Sequence, residues 1–106
     1  MVSANWTDDV LMVCDGGQQV ASGRILLQGG EWFLEQIVVT PTLDCVHGDF
    51  LVRLMLRRIY DLGGYEQYVY AKHIDRGFYQ KLGFEVQSDT GLLIKMRRTG
   101  DVLGRC

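Results

Sequence analysis

EWFLEQIVVTPTLDCVHGDFLVRLMLRRIYDLGGYEQYVYA, residues 31–71, predicts a strand, a helix and a second strand in that order. Residues 31–39 are rich in aromatic and β-branched side chains, and Pro41 ends this strand because it offers no backbone N–H. Residues 50–62 repeat apolar side chains at helical spacing, and residues 67–71 form the second strand. A strand, helix and strand of this length predict a βαβ unit, whose two strands run parallel.

Shorter elements flank this unit on both sides. Two apolar runs, residues 10–14 and 19–27, are separated by a glycine-rich turn and predict an antiparallel hairpin. After the unit we expect a short helix at residues 75–82 and a closing hairpin whose strands are residues 84–87 and 91–97. The predicted order is ββ-β-α-β-α-ββ, an α/β fold with a mixed sheet and no strand before residue 10. It forms a single domain over residues 1–98, followed by a polar C-terminal tail over residues 99–106.

Composition excludes several classes of protein. The chain has 106 residues, is 47% hydrophobic and contains one proline, which argues against disorder. Its net charge of −2 lacks the basic excess of a nucleic-acid binder. No apolar run approaches the ~20 residues that cross a membrane, and the N-terminus shows no secretory signal. The cysteines, Cys14, Cys45 and Cys106, and the two histidines are not spaced as metal ligands. We therefore expect a cytoplasmic protein with reduced thiols and no metal.

A ligand site is expected beyond the carboxyl end of the third strand, where the chain enters the first helix. Strand alternation predicts that Glu35, Ile37 and Val39 share one face. Asp49 is a good N-cap for the helix. Backbone N–H groups at a helix N-terminus suit an anion such as a pyrophosphate. Gly48, without a Cβ, leaves room for phosphate oxygens, although a plain hinge between loop and helix explains it too.

Two segments carry a resemblance to a known family. Residues 70–84, YAKHIDRGFYQKLGF, closely resemble the late motif of the GNAT superfamily of N-acetyltransferases, in which a strand leads into a short helix ending F-Y-x-K-x-G-F. Residues 37–41, IVVTP, resemble the V-x-P that ends the fourth strand of that family. The resemblance covers residues 10–97, without counterparts for the first strand and first two helices of the family. It implies a GNAT-like α/β fold.

The resemblance also implies an activity, the transfer of an acetyl group from acetyl-CoA to an unidentified amine. Tyr79 matches a tyrosine thought to protonate the sulfur of CoA, and Glu35 lies near the usual carboxylate base, with Glu31 as the alternative. Residues 43–48, LDCVHG, stand where the family keeps its pyrophosphate loop, but retain only the last glycine of its pattern. Residues expected to bind the cofactor are Ile37, Val38, Val39, Cys45, Val46, His47, Gly48, Asp49 and His73.

Other interpretations of these residues remain open. Tyr79 could simply pack the short helix, Glu35 could be an exposed strand residue, and His73 could be an ordinary surface histidine. The degenerate loop and the missing N-terminal helices favour a second function, a non-catalytic module that binds acyl-CoA or a protein partner. Because the predicted sheet lacks a first strand and covering helices, we also expect an exposed edge and an apolar face that a homodimer would cover.

Overall fold

Seven β-strands form one mixed sheet in the computed structural model, which describes residues 1–101. The strands are β1 (Val2–Thr7), β2 (Val10–Asp15), β3 (Gln18–Gln28), β4 (Glu31–Val39), β5 (Glu66–Lys72), β6 (Glu85–Asp89) and β7 (Leu93–Thr99). The helices are α1 (Val46–Asp61) and α2 (Arg76–Lys81), with a 3₁₀ turn at His73–Asp75 before α2. The strand order is β1-β2-β3-β4-β5-β7-β6, and among these pairs only β4 and β5 are parallel. The mixed α/β sheet and its βαβ unit are confirmed.

The strand β1 corrects the expectation that the sheet begins at residue 10. It pairs antiparallel with β2 along its whole length, across a tight turn in which Asp8 has a φ of 55°. Ala4 and Trp6 pack against the core, while Ser3, Asn5 and Thr7 beside them are polar and exposed. This alternation is typical of a half-buried strand. The strand was not predicted because its sequence contains no continuous run of apolar residues.

One face of the sheet carries both helices. The apolar stripe of α1 is fully buried, through Leu51, Val52, Met55, Leu56 and Ile59. Phe78 and Tyr79 of α2 belong to the same core cluster, so α2 packs on the same face as α1. No further α-helix occurs within residues 1–101, so no α-helix covers the opposite face, and none of the helices there is long and apolar enough to span a membrane.

A β-bulge interrupts β4 in its second half. Ser22 of β3 pairs with Val38, whereas Arg24 pairs with Glu35, so two residues of β4 stand opposite one residue of β3. The first of the two, Gln36, has a φ of 52°, a left-handed conformation that non-glycine residues rarely adopt. A bulge of this kind bends the strand and changes which face each later side chain occupies.

The bulge overturns the expected face assignment. Leu34 faces the helices before the bulge, and Ile37 and Val39 pack against the same core after it. Glu35, adjacent to Leu34, therefore lies on the opposite face from Ile37 and Val39. Strict alternation from the sequence was wrong here because the extra residue shifts the pattern by one.

The helix α1 begins earlier than predicted. Its first residue is Val46, and Cys45 is the N-cap, without a side-chain hydrogen bond. Asp49 is therefore not the N-cap; it lies in the first turn, where its carboxylate accepts from Arg53 Nε at 2.8 Å. Gly48 is buried, and a Cβ placed there would lie 2.8 Å from the carbonyl carbon of Leu43 and closer to its oxygen. The room left by Gly48 is thus filled by the preceding loop.

The first residues of the predicted C-terminal tail are bonded to the domain. The N–H of Gly100 donates to the carbonyl of Tyr65 at 2.7 Å. The carbonyl of Gly100 accepts from Gln67, which is fully buried, at 3.1 Å, and Asp101 bonds Arg57 at 3.2 Å. Residues 99–101 are therefore held to the domain, and the rest of the predicted tail, 102–106, lies outside the described residues.

Candidate active site

A cleft opens between β4 and β5 on the carboxyl side of their pairing. The two strands pair only over Trp32–Leu34 and Gln67–Val69, and beyond the bulge they separate. The cleft has a volume of about 820 Å³, within the range of small-molecule sites. Its walls are formed by residues 34–39 of β4, 42–44 of the following loop, 69–72 of β5, and Ile74, Asp75 and Tyr79. It lies at the position that the sequence predicted for a ligand site.

The backbone of β4 offers hydrogen-bonding groups to this cleft. The N–H of Thr40 donates to the carbonyl of Val20 on β3 at 2.9 Å. Backbone groups of alternate residues in an antiparallel strand point to the same side, so those of Val38 also face β3 and those of Val39 face the cleft. The free groups can bind a ligand that carries amides, in the way that a strand is added to a sheet edge.

The N-terminus of α1 lies beside the cleft, since Asp44, just before the helix, lines both the cleft and a depression at the start of the helix. The N–H of Cys45 donates back to the carbonyl of Leu43 at 2.9 Å, and the N–H of Asp49 donates to the carbonyl of Cys45 at 3.0 Å. The N–H groups of Val46, His47 and Gly48 precede the helical ladder and have no side-chain cap. Three amides at the positive end of a helix favour an anion.

The charges around this helix end are mixed. A second depression of about 330 Å³ lies beside it, lined by Asp44, Cys45, Val46, Asp49, Phe78 and Lys81. The carboxylates of Asp44 and Asp49 oppose an anion, but Arg53 is bonded to Asp49 and Lys81 stands on the α2 side. The helix end thus lacks a strong basic cluster, and its attraction for anions depends on the backbone.

Both candidate histidines bond away from the cleft. His47 Nε2 lies 3.0 Å from Asp15 Oδ2, at the end of β2. His73 Nε2 lies 3.0 Å from the carbonyl oxygen of Gly91. The hydrogen bond from His47, together with the N-terminal amine, holds the pKa of Asp15 below its usual value. Neither histidine side chain lines the cleft, so only backbone groups of these residues remain for a ligand there.

Tyr79 brings a buried phenol to the cleft. Its ring packs edge-on against Phe78 and Phe84, with centroids 5.2 and 5.4 Å away, and the residue is 3% exposed. Burial raises the pKa of Tyr79 well above its ordinary value, and the carboxylate of Asp75 adds to the shift. The phenol therefore stays protonated at neutral pH and can donate a proton or a hydrogen bond.

Glu35 also lines the cleft, but its carboxylate is not free. Arg24 Nη1 donates to Glu35 Oε2 at 3.2 Å, and Arg24 Nε donates to Asp9 Oδ2 at 2.8 Å. Glu31, the alternative base, instead accepts from Lys95 Nζ at 3.1 Å and is not part of the cleft wall. Of the two candidate glutamates, only Glu35 lines the cleft.

Sequence reasoning did not identify three residues of this region. Arg24 and Asp9 join Glu35, and Tyr70 lines the cleft with its ring stacked on Phe33 at 5.6 Å and 4°. One feature of the sequence could have indicated Arg24: it is the only charged residue among the eleven residues of β3. Within residues 1–101 no group of three or more His, Cys, Asp or Glu side chains is placed to hold a metal ion.

Comparison with known proteins identifies the fold. No protein-family model and no curated protein matches the sequence. Among solved structures, the PaiA N-acetyltransferase of Thermoplasma acidophilum, in complex with coenzyme A, superimposes with a TM-score of 0.76 at 17% identity. This match covers 86% of the present chain and 60% of the T. acidophilum chain, so the present chain spans less than two thirds of the length of that chain.

Two further structures give the same result. An IAA acetyltransferase from Bacillus cereus has a TM-score of 0.75 at 16% identity, covering 86% of this chain and 77% of that one. An aminoglycoside 6′-acetyltransferase type Ii has a TM-score of 0.73 at 22% identity, covering 94% and 74%. The chain therefore has the GNAT fold, and the resemblance of residues 70–84 is confirmed at the level of fold.

Proposed function

We propose that this chain is an acyl-CoA-dependent N-acetyltransferase that moves an acetyl group from acetyl-CoA to an amine. The observation that carries the proposal is the cleft between β4 and β5. Its wall includes the strand backbone at Val39 and the protonated phenol of Tyr79, and the N-terminus of α1, without a side-chain cap, lies beside it. The solved structures of the same fold include acetyltransferases, one of them in complex with coenzyme A, which supports the same activity.

Acetyl-CoA fits the chemistry of the cleft along its length. The backbone of Val39 would bond an amide of the pantetheine arm, with Ile37 and Val38 beside it. The N–H groups of Val46, His47 and Gly48 would bind the pyrophosphate, and Cys45 and Asp49 would flank it. His73 would contribute through its backbone, since its ring is bonded to Gly91. The carboxylates of Asp44 and Asp49 oppose the attraction of the helix end for the pyrophosphate, so we expect modest affinity. Because salt screens that attraction, we expect the affinity to fall as salt is added.

The two candidate side chains have complementary roles in the transfer. As the amine forms its bond to the acetyl carbon, the carbon–sulfur bond breaks and a thiolate leaves. Tyr79 donates its proton to that sulfur, because its phenol stays protonated at neutral pH. The carboxylate of Glu35 accepts the proton that the amine gives up, directly or through a water. Tyr79 is thereby the general acid and Glu35 the general base.

A second candidate is a module that binds acyl-CoA without transferring the acetyl group. The observation in its favour is the ion pair between Arg24 and Glu35, in which the carboxylate of the proposed base is already bonded to a guanidinium group. The sheet face on which Glu35 lies also has no α-helix over it within residues 1–101 to form an acceptor pocket. A homodimer remains our proposal for covering that face, and the cytoplasm our proposed location.

Two measurements on the whole chain test the proposal. Calorimetry with acetyl-CoA measures binding, and release of free CoA thiol in the presence of a panel of primary amines measures transfer. Binding with transfer supports the enzyme. Binding without transfer to any amine supports the module, and absence of both contradicts the proposal. Light scattering at high protein concentration tests the dimer, which a strict monomer would contradict.

A further inference from the structure

One guanidinium group connects the N-terminal hairpin to the wall of the cleft. Arg24 lies in the middle of β3 and binds two carboxylates with different nitrogens, Asp9 at 2.8 Å and Glu35 at 3.2 Å. Asp9 belongs to the turn between β1 and β2, and its backbone carbonyl accepts from the N–H of Ile25 at 2.9 Å. The turn is therefore attached to β3 by a side-chain bond and a backbone bond at neighbouring residues.

We propose that Arg24 is a positioning residue for Glu35, and that Asp9 holds Arg24 in the orientation that this requires. The inference rests on the proposed acetyl transfer, in which Glu35 accepts the proton of the amine. It gives the N-terminal hairpin a role in the site, because Asp9 lies outside the cleft and acts on Glu35 only through Arg24.

The chemistry of the three side chains favours this arrangement. A glutamate has three rotatable bonds, and a side chain that is 29% exposed on an uncovered face is free to change rotamer unless it is bonded. A guanidinium is planar, so fixing its Nε on Asp9 also fixes the direction of its Nη1. The backbone of Glu35 is itself set by the bulge that begins at Gln36. Backbone and carboxylate of Glu35, a residue of the cleft wall, are thus both held.

The test is a double-mutant cycle in the acetyl-transfer assay. We expect Arg24→Gln to lower kcat by about 10- to 100-fold while the KM for acetyl-CoA stays unchanged, because only the base is misplaced. In a chain that already carries Glu35→Gln, Arg24→Gln should cause no further loss, since there is no base left to position. Asp9→Asn should reproduce part of the effect of Arg24→Gln. A general loss of structure would instead lower kcat by the same factor in both backgrounds, which would overturn the inference.

Arg97→Gln is the matched control. Arg97 has the same 36% side-chain exposure as Arg24, and it binds the carboxylate of Glu66 at 3.2 Å across neighbouring strands. Neither Arg97 nor Glu66 lines the cleft. We expect this variant to retain the kcat of the wild type. A kcat lowered as far as in Arg24→Gln would show that losing any such ion pair is sufficient, and would also overturn the inference.

A second measurement does not depend on activity. Three-bond NMR couplings report whether the Glu35 side chain keeps one rotamer or averages over several. We expect one rotamer in the wild type and averaging in both Arg24→Gln and Asp9→Asn. A single rotamer that persists in Arg24→Gln overturns the inference. Averaging in the variants of a chain that acetylates no amine supports the positioning while contradicting the proposed transfer.

Discussion

Gly48→Ala tests whether the loop before α1 packs as described. The added Cβ would lie 2.8 Å from the carbonyl carbon of Leu43 and closer to its oxygen, whereas carbon atoms in contact are separated by about 3.5–4.0 Å. The obstacle is backbone, so the loop has to move by about 1 Å or more to restore that separation. Such overpacking costs about 1–3 kcal/mol, and about 4–8 °C of Tm per kcal/mol in a domain of this size.

Gly77→Ala is the control for this variant. Gly77 also lies in the first turn of a helix at an ordinary φ, but a Cβ there meets no atom within 4 Å. Replacing glycine by alanine in an open helical position stabilises by roughly 0.5–1 kcal/mol. Thermal unfolding followed by circular dichroism should therefore show a lower Tm for Gly48→Ala and an equal or higher Tm for Gly77→Ala. An unchanged or raised Tm for Gly48→Ala would refute the packing of Leu43 against Gly48.

Three further substitutions probe the acid, the core and a charged contact. Tyr79→Phe keeps the buried ring, so turnover should fall by ~10²–10⁴-fold with Tm nearly unchanged; normal turnover with an accepted amine would exclude the acid role. Met55→Ala empties a fully buried position, and urea unfolding should show a loss of about 2–5 kcal/mol, whereas a loss below that range would contradict the packing of α1. Asp15→Asn should lower stability at neutral pH only. The lowered pKa of Asp15 stabilises the fold in full above its ordinary value of 3.8, and this contribution is lost as the pH falls below 3.8 and through the lower pKa of the folded state, so unfolding curves of variant and wild type should converge in strong acid.

The parts of the fold that sequence predicted are those with strong local signals. The apolar period of α1 and the aromatic and β-branched run of β4 gave the βαβ unit, and the motif at residues 70–84 gave the fold family. Tyr79 was predicted as the acid because it lies within that motif. Its presence in the cleft wall follows from the short helix that the same motif specifies.

The parts that were missed depend on interactions between segments distant in sequence. The bulge at Gln36 has no local signal, because glutamine is not a residue that favours positive φ. Without it, alternation assigned Glu35 to the wrong face. The start of α1 was misplaced because Asp49 is a good N-cap by type, whereas Gly48 allows the loop at Leu43 to pack against a helix that begins earlier. The contact of Arg24 with Asp9 spans 15 residues, which no periodicity reveals.

Amide NMR mapping of acetyl-CoA binding tests the central claim most directly. A ¹⁵N-labelled chain is titrated with acetyl-CoA up to about 1 mM. This range detects any complex whose binding free energy is about −4 kcal/mol or more favourable. We expect the largest shifts at the amides of Val39, Val46 and His47, and smaller ones at Val38, whose amide faces β3. Shifts confined to the edge strands β1 and β6, or no shifts at this concentration, would contradict a CoA site between β4 and β5.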